Sequence, residues 1–208
     1  DLAALARRHG LAPLLFSLLK KAEPTPAIEG LMESSRNALR QSMVFDLLAA
    51  RDACALSADL QGAGIDVLVL KGPTLTRLYG PGQREYSDLD LLVRPSDLLL
   101  ARRLLIDQGY RQISGPPEHL LDRHLAVGKE IGLAAPGRIP IDLHWRFGER
   151  AYPFELPDNN LWSRSQTIDL KAGQVQTLGN EELLLYLCFH GTKHYWLRLL
   201  WLSDVARL

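Results

Sequence analysis

The chain has 208 residues, of which 47% are hydrophobic and 23% are charged. This composition predicts a packed globular fold and excludes an intrinsically disordered chain. Lysine plus arginine and aspartate plus glutamate both number 24, which excludes an overall basic field that would attract nucleic acid.

The location of the protein is predicted from its cysteines and its apolar stretches. Cys54 and Cys188 are far apart and form neither a C-x-x-C pair nor a disulfide framework, which favours a reducing cytoplasm. No stretch approaches the roughly 20 apolar residues of a membrane span, and none has the pattern of a signal peptide. Because the chain begins at Asp1 and ends at Leu208 within a helical pattern, we expect it to be a trimmed piece.

The first 60 residues are predicted to be helical, since leucines recur there at steps of three and four residues. Glu23–Pro26 interrupts the pattern, and from Ile28 it supports one long helix, or two, reaching Asp59. The apolar run Ile65–Leu70 then predicts a strand buried on both faces, ending at Lys71-Gly72-Pro73. Thr74–Tyr79 can form a short helix.

The run Ser87–Val93 predicts a second strand, in which Asp88 and Asp90 point to the same face. Two adjacent carboxylates repel each other, so a positive group should lie between them. A divalent metal ion is one candidate. The alternative is a structural pair of carboxylates, salt-bridged to Arg84 or Lys71.

In the second half of the chain, segments with a regular hydrophobic pattern are separated by segments without one. A helix is predicted from Ser96 to about Gln108, and Val127–Leu133 is a candidate strand within the poorly patterned residues 111–137. Ile139–Phe147 alternates strictly, which places Asp142 and His144 on the polar face of a strand. The remaining predictions are a loop-rich stretch 148–178 with a strand pair (Thr167–Leu170, Val175–Leu178), a helix from Asn180, and a second helical pattern holding Trp196, Leu199, Leu200 and Val205.

These elements predict an α/β (α+β) fold with a mixed sheet and helices at both ends. We divide the chain into an N-terminal helical segment (1–60), a core (61–178) and a C-terminal helical segment (179–208).

Lys71-Gly72, a short helix, Asp88-Leu89-Asp90 and a distant Asp142 together resemble the nucleotidyltransferase superfamily typified by DNA polymerase β. The bacterial group described only as nucleotidyltransferase family proteins is the most similar part of it. The resemblance covers residues 60–147 and extends loosely to the C-terminal helices, through an H-x3-H and a W-x2-D segment. Those segments contain His190, His194, Trp201 and Asp204.

The resemblance implies a Mg²⁺-dependent enzyme that moves a nucleoside monophosphate from a nucleoside triphosphate, expected to be ATP, to an acceptor hydroxyl. It implies that Asp88, Asp90 and Asp142 hold two Mg²⁺ ions, which stabilise both ends of an in-line displacement. Pro73 stands where the superfamily has a serine that holds the triphosphate. Residues expected at the nucleotide are therefore Lys71, Gly72, Thr74, Arg84 and Ser87.

Three histidines are weaker candidates for contacting the substrate: His144 beside Asp142, and His190 and His194 on one helix face. Balanced charge favours a small molecule or a protein over nucleic acid as the acceptor. Besides the structural carboxylate pair, one further alternative stays open, a catalytically silent module that binds nucleotide or a partner.

Overall fold

The computed structural model describes residues 2–150 and 161–208, and contacts divide the chain into two compact units. Unit 1 contains the described residues up to Leu48, Leu75–Tyr86 and Leu184–Leu208. Unit 2 contains Ala49–Thr74 and the described residues of Ser87–Leu183. The three consecutive segments predicted from the sequence divide the chain differently and stay a prediction. Part of the predicted loop-rich stretch, residues 151–160, lies outside the described residues.

Unit 1 is helical. It contains α1 (Leu2–Arg8), α2 (Ala12–Leu19) and the first part of α3 (Pro26–Gly62). Pro26 begins α3, where its fixed φ suits the first turn and its missing N–H removes no helical hydrogen bond. The residues from Ile28, predicted to form one long helix or two, form one continuous helix. The short helix α4 (Pro73–Thr76) begins in unit 2 and ends in unit 1.

Unit 2 is built on a five-stranded sheet in the order β1-β2-β5-β4-β3. Strands β2 and β5 are parallel, and the other neighbours are antiparallel. This mixed sheet with flanking helices confirms the predicted fold class. The strands are β1 (Val67–Val69), β2 (Leu89–Val93), β3 (Arg111–Ser114), β4 (Glu130–Ala134) and β5 (Ile141–His144).

Helices and a hairpin complete unit 2: α5 (Leu98–Asp107), α6 (Leu121–Leu125), β6 (Gln166–Asp169) and β7 (Gln174–Thr177). Two side chains outside the sheet satisfy backbone groups near its strands. The hydroxyl of Thr177 donates to the Val69 carbonyl at 2.6 Å, and Asp52 of α3 accepts from the Ile139 amide at 3.1 Å. Buried backbone groups need such partners, so these contacts fix the strand ends that carry the polar side chains.

The C-terminal helices are α7 (Asn180–Lys193), divided between the units after Leu183, and α8 (Leu199–Arg207) in unit 1. The sequence placed Trp196 in the second helical pattern, which is wrong, because Tyr195 and Trp196 have φ of 54° and 53° and end the helical run. Among the described residues, none of the helices combines the length and the hydrophobicity that a membrane span requires.

Candidate metal and nucleotide site

Three polar side chains meet on one face of the sheet because β2 and β5 are neighbours with parallel register. Asp90 pairs with Asp142, and Leu92 pairs with His144. Side chains of residues that are paired across adjacent strands lie on the same face of the sheet. Along one strand, every second side chain lies on that face. The alternating pattern of residues 139–147 predicted this polar face, and Ile141 and Leu143 fill the opposite, buried face.

Asp90 is the centre of the site. It is 2% exposed, and its Oδ2 lies 2.8 Å from Nζ of Lys71 while its Oδ1 lies 3.1 Å from Nε2 of His144. Burial alone would raise the pKa of Asp90, but the Lys71 ammonium and the His144 hydrogen bond outweigh it and hold that pKa well below its usual range. Asp90 is therefore an ionised carboxylate at neutral pH.

The pKa values of Asp142 and Asp88 are shifted in the opposite direction, upward. Burial raises the pKa of Asp142, and the nearby Asp90 carboxylate raises it further. Burial also raises the pKa of Asp88, opposed by Lys71 and reinforced by Asp90. Burial is thus the main cause for both groups and the Asp90 carboxylate adds to it, so a cation bound here would favour the ionised form of both carboxylates.

Asp90, Asp142 and His144 each offer one ligand atom, and these atoms all lie within 4.8 Å of one another. In addition, Oδ2 of Asp90 is buried and is 2.8 Å from the Lys71 ammonium. Two carboxylates and an imidazole are donors that a divalent cation accepts. The residues present therefore fit a metal ion.

Asp88 lies just before β2 and not within it, since the strand begins at Leu89. The predicted strand was therefore two residues too long at its start. The pairing of β2 with its neighbours does not determine the orientation of the Asp88 side chain. Among the described residues, Asp88 belongs to no group of three ligand atoms with these mutual distances. Ser87 is exposed, with its hydroxyl 3.4 Å from the Asp88 carboxylate. The metal role of Asp88 and the nucleotide role of Ser87 stay predictions.

Glu130 joins the site from β4, and the sequence analysis missed it. It pairs with His144 across the antiparallel ladder, and its Oε2 lies 3.2 Å from Nδ1 of His144. The same carboxylate forms an ion pair with the buried Lys129. Glu130 directly precedes the short apolar run Ile131–Ala134, and that position at a strand start was the only sequence signal for it.

The turn after β1 supplies Lys71, Gly72 and Thr74. Gly72 has φ of 74°, a left-handed conformation that glycine adopts without strain. Pro73 begins α4, so this turn has one backbone N–H donor fewer than it would have with a serine there. The Thr74 side chain is buried, and among the described residues its hydroxyl has no hydrogen-bond partner.

Arg84 belongs to unit 1, where Asp204 binds its guanidinium through both oxygens at 2.8 and 2.9 Å. Tyr79 also donates to Asp204 at 2.8 Å. Arg84 and Asp204 are both buried, so the pair has a structural role. The contact of Arg84 with the phosphates of the nucleotide stays a prediction. The W-x2-D segment singled out Asp204 but gave no hint of this partner.

His190 and His194 also belong to unit 1. They pack with Trp201 in a cluster of edge-to-face and tilted contacts whose ring centroids are 4.8 to 5.3 Å apart. The two histidines were predicted to share one helix face. His190 lies in α7, but His194 comes directly after the end of that helix. Their predicted contact with substrate stays a prediction.

A cleft of about 680 Å³ opens beside Glu130 in unit 2. Its wall includes Ser114, His124, Val127, Lys129 and Arg150 as well as Glu130. Volumes of 300–1,000 Å³ are typical of sites for small molecules. Polar groups of both signs therefore surround a space that borders the His144 side of the site through Glu130.

The pKa directions predict how metal binding depends on pH. A carboxylate must be ionised to bind a metal, and the pKa values of Asp142 and Asp88 are raised. As the pH falls, we expect affinity for Mn²⁺ to be lost through a midpoint above about 3.9, the usual aspartate pKa. Isothermal titration calorimetry between pH 4 and 8 measures it; a midpoint at or below the usual value contradicts this assignment.

Comparison with known proteins identifies the class of the chain. The family model described as "Uncharacterised nucleotidyltransferase" matches residues 1–208, so the chain belongs to this family. The resemblance drawn from the sequence is thereby confirmed at the family level. No curated protein is significantly similar to the chain.

The solved structures that are similar to the chain include the following three. The lincomycin-bound lincosamide antibiotic adenylyltransferase LnuA has 15% identity over 71% of this chain and 88% of that chain, with a TM-score of 0.47. An antigenic nucleotidyltransferase-like protein from Paracoccidioides brasiliensis has 15% identity over 77% and 74%, with a TM-score of 0.49. ANT(2")-Ia in complex with adenylyl-2"-tobramycin has 13% identity over 72% and 85%, with a TM-score of 0.48.

Proposed function

We propose that this protein transfers a nucleoside monophosphate from a nucleoside triphosphate, with ATP as the expected donor, to an acceptor hydroxyl, and releases pyrophosphate. One observation carries the proposal. In a chain of a nucleotidyltransferase family, Asp90 and Asp142 lie side by side on neighbouring parallel strands, with ligand atoms within 4.8 Å of each other and of His144.

Asp90 and Asp142 are proposed to hold Mg²⁺, with Asp88 completing a site for two ions. When bound, Mg²⁺ supplies positive charge that stabilises the attacking and leaving oxygens. Support comes from the ionised state of Asp90, which provides a charged ligand, and from the neighbouring Asp142, whose pKa is raised by burial and by the Asp90 carboxylate, so that a cation would favour its ionised form.

Lys71 and the turn at Gly72 are proposed to bind the phosphates of the nucleotide. The Lys71 ammonium already lies at the carboxylate centre, 2.8 Å from Asp90, and its side chain is largely buried. A lysine is a compact point charge that can bind phosphate without a fixed hydrogen-bond geometry. Gly72 lets the backbone come close to an anion because it has no side chain there.

Asp142 is also proposed to accept the proton of the acceptor hydroxyl. In that step the hydroxyl oxygen bonds to the α-phosphorus, the bond from the α-phosphorus to the pyrophosphate oxygen breaks, and the proton passes to the carboxylate. A general base works best when its pKa approaches the working pH, and burial and Asp90 shift the pKa of Asp142 in that direction.

A small molecule is the acceptor that these observations support best. The cleft beside Glu130 has the volume of a small-molecule site, about 680 Å³. The equal numbers of basic and acidic residues give no support to a long nucleic acid. A protein acceptor is the second choice, and the cytoplasm, suggested by the two unpaired and distant cysteines, is the proposed location.

Replacing Lys71 by Met is expected to weaken binding of ATP by about 10-fold or more, since a hydrogen bond to a charged group contributes about 1.5–3 kcal/mol. Calorimetric titration of ATP with Mg²⁺ measures it. Affinity for Mn²⁺ without nucleotide should not fall, because Asp90 loses a competing cation. The exposed Lys21→Met is the matched control. Equal ATP affinity in both variants would remove Lys71 from the nucleotide site.

Catalysis itself is tested with triphosphates labelled at the α-phosphorus. The proposal expects metal-dependent release of pyrophosphate, with the label moved to an acceptor from a panel of hydroxyl-bearing small molecules, or to water as a slow acceptor. The alternative is a silent nucleotide-binding module, which Pro73 favours because it removes a donor from the phosphate turn. Tight binding of nucleotide without any release of pyrophosphate would support that alternative.

A further inference from the structure

An apolar cavity in unit 1 is open at the surface. Side chains of α1, of α2 and of the first residue of α8 line a volume of about 170 Å³ that lies within unit 1. Leu2, Leu5, Leu18 and Leu199 of its wall are all exposed. The wall also contains His9, whose Nδ1 already accepts from the Leu199 amide at 3.3 Å. The cavity therefore provides apolar contact rather than hydrogen bonds.

Positive charge accompanies the exposed leucines. From position 2 to position 22 the sequence has no aspartate or glutamate, and its four exposed basic residues are Arg7, Arg8, Lys20 and Lys21. Arg8 follows Leu5 by three residues, so the two side chains are neighbours on the helix surface. Lys21 follows Leu18 by the same step, and its amide donates to the Leu18 carbonyl at 3.1 Å. Each of these cations is thus adjacent to a leucine of the cavity.

The segment that leads into α8 adds exposed side chains near Leu199. Tyr195 and Trp196 have left-handed φ values of 54° and 53°, which residues with bulky side chains rarely adopt. Tyr195 is 83% exposed, and Leu197 is 68% exposed. Tyrosine is enriched at membrane–water interfaces, because its ring is apolar and its hydroxyl is polar. Strain is retained here while an aromatic and an apolar side chain face solvent.

Size, charge and hydrogen bonding decide which occupant suits this surface. Sites for small molecules typically have about 300–1,000 Å³, more than this cavity has. A second copy of the chain would bring the same cations together, which costs free energy. A protein partner typically makes about one hydrogen bond per 100–200 Å² of interface, which leucines do not offer. A bilayer requires no hydrogen bond from the leucines that enter it, and its anionic headgroups attract lysine and arginine.

We propose that the leucines that border this cavity, together with Arg8 and Lys21, attach the protein reversibly to membrane surfaces that contain anionic lipids. The leucines enter the boundary between headgroups and acyl chains, and the cations pair with headgroup phosphates. The attachment is peripheral, and it is independent of the proposed nucleotide transfer.

Co-sedimentation of the intact chain with lipid vesicles measures this attachment. We expect binding to vesicles of equimolar phosphatidylcholine and phosphatidylglycerol. Binding to phosphatidylcholine alone should be weaker by about 10-fold or more, since basic residues near an anionic surface lose their attraction. Added salt should weaken the binding to anionic vesicles, because it screens exposed charges.

A matched pair of leucine variants tests the apolar part of the surface. Leu5→Gln should weaken vesicle binding by about 10-fold, because one leucine no longer enters the apolar layer. Leu100→Gln on α5 is the control, since Leu100 is 48% exposed and Leu5 is 49% exposed. Binding by the control should match that of the wild type. Thermal unfolding checks that both variants fold.

A matched pair of double variants tests the charged part. Arg8→Gln with Lys21→Gln should weaken binding to anionic vesicles by about 30-fold, the effect of two basic residues near such a surface. Arg103→Gln with Arg111→Gln removes two exposed cations of unit 2 and should change binding little. Because all four side chains are exposed, this comparison holds even if Leu5→Gln does not fold.

No binding to anionic vesicles, or equal binding to neutral ones, would overturn the proposal. Equal losses in the variants of this surface and in their controls would also overturn it. Two further results would assign the surface to a protein instead. One is a dimer in sedimentation equilibrium that Leu5→Gln dissociates, and the other is binding of a glutamate-rich amphipathic peptide by a protein that leaves the vesicles unbound.

Discussion

Asp142→Asn is expected to lower nucleotide transfer and Mn²⁺ affinity by more than about 100-fold, the upper range for residues that only orient metal ligands. The fold should survive, because burial and the Asp90 carboxylate raise the pKa of Asp142 and thus make its ionised form destabilising. Near neutral pH the amide should therefore raise the thermal midpoint of the metal-free protein. Calorimetry for both metal binding and unfolding measures the two effects.

Asp90→Asn is the informative contrast. The lowered pKa of Asp90 means that its ionised form stabilises the fold above the usual aspartate pKa, and that this stabilisation is lost as the pH falls through the lowered value. The amide should thus lose both metal binding and stability. The exposed Asp107→Asn should change neither. If Asp142→Asn lowered the thermal midpoint as Asp90→Asn does, the two aspartates would both be structural.

Arg84→Ala is expected to destabilise the protein by about 3–5 kcal/mol, because it leaves a buried carboxylate, Asp204, without its guanidinium. Urea unfolding measures this cost. Arg36→Ala is the matched control, since the Arg36–Glu33 pair is 41% and 68% exposed and should contribute at most about 1 kcal/mol. A cost for Arg84→Ala no larger than for Arg36→Ala would contradict the assignment of a buried ion pair.

The double variant Arg84→Met with Asp204→Leu separates structure from nucleotide binding. Apolar replacement of both partners removes the buried charges together, so most of the stability should return. If the refolded double variant binds ATP as the wild type does, the predicted phosphate contact of Arg84 is rejected. A specific loss of ATP affinity in a stable double variant would support it.

The fold was predictable where residue patterns are long and regular. The alternation from Ile139 to Phe147 correctly placed Asp142 and His144 on a polar face, and the apolar runs before Lys71 and after Asp88 correctly gave two strands, which the structure shows to be neighbours. Strand β4 was harder to predict, because a five-residue strand starting at Glu130 follows a stretch with no period. Trp196 was misplaced because two consecutive positive φ values have no strong sequence signal.

The candidate site was predictable in its carboxylates and not in their partners. Lys71, Asp90 and Asp142 were selected from the sequence, and the structure brings Lys71 to Asp90 and pairs Asp90 with Asp142, while their functional roles stay predictions. The Glu130–His144 and Arg84–Asp204 contacts join residues 14 and 120 positions apart in the chain. Such pairs depend on which strands and helices become neighbours, and one sequence alone does not specify that.

Asp90 and Asp142 are proposed to bind a metal ion beside the α-phosphate of a nucleoside triphosphate. The most direct measurement is a crystal soaked with Mn²⁺ and a non-hydrolysable ATP analogue, with data collected for the anomalous signal of manganese. We predict an anomalous peak in contact with both carboxylates and with an α-phosphate oxygen. Nucleotide bound elsewhere, or bound with no manganese at Asp90 and Asp142, would contradict the claim.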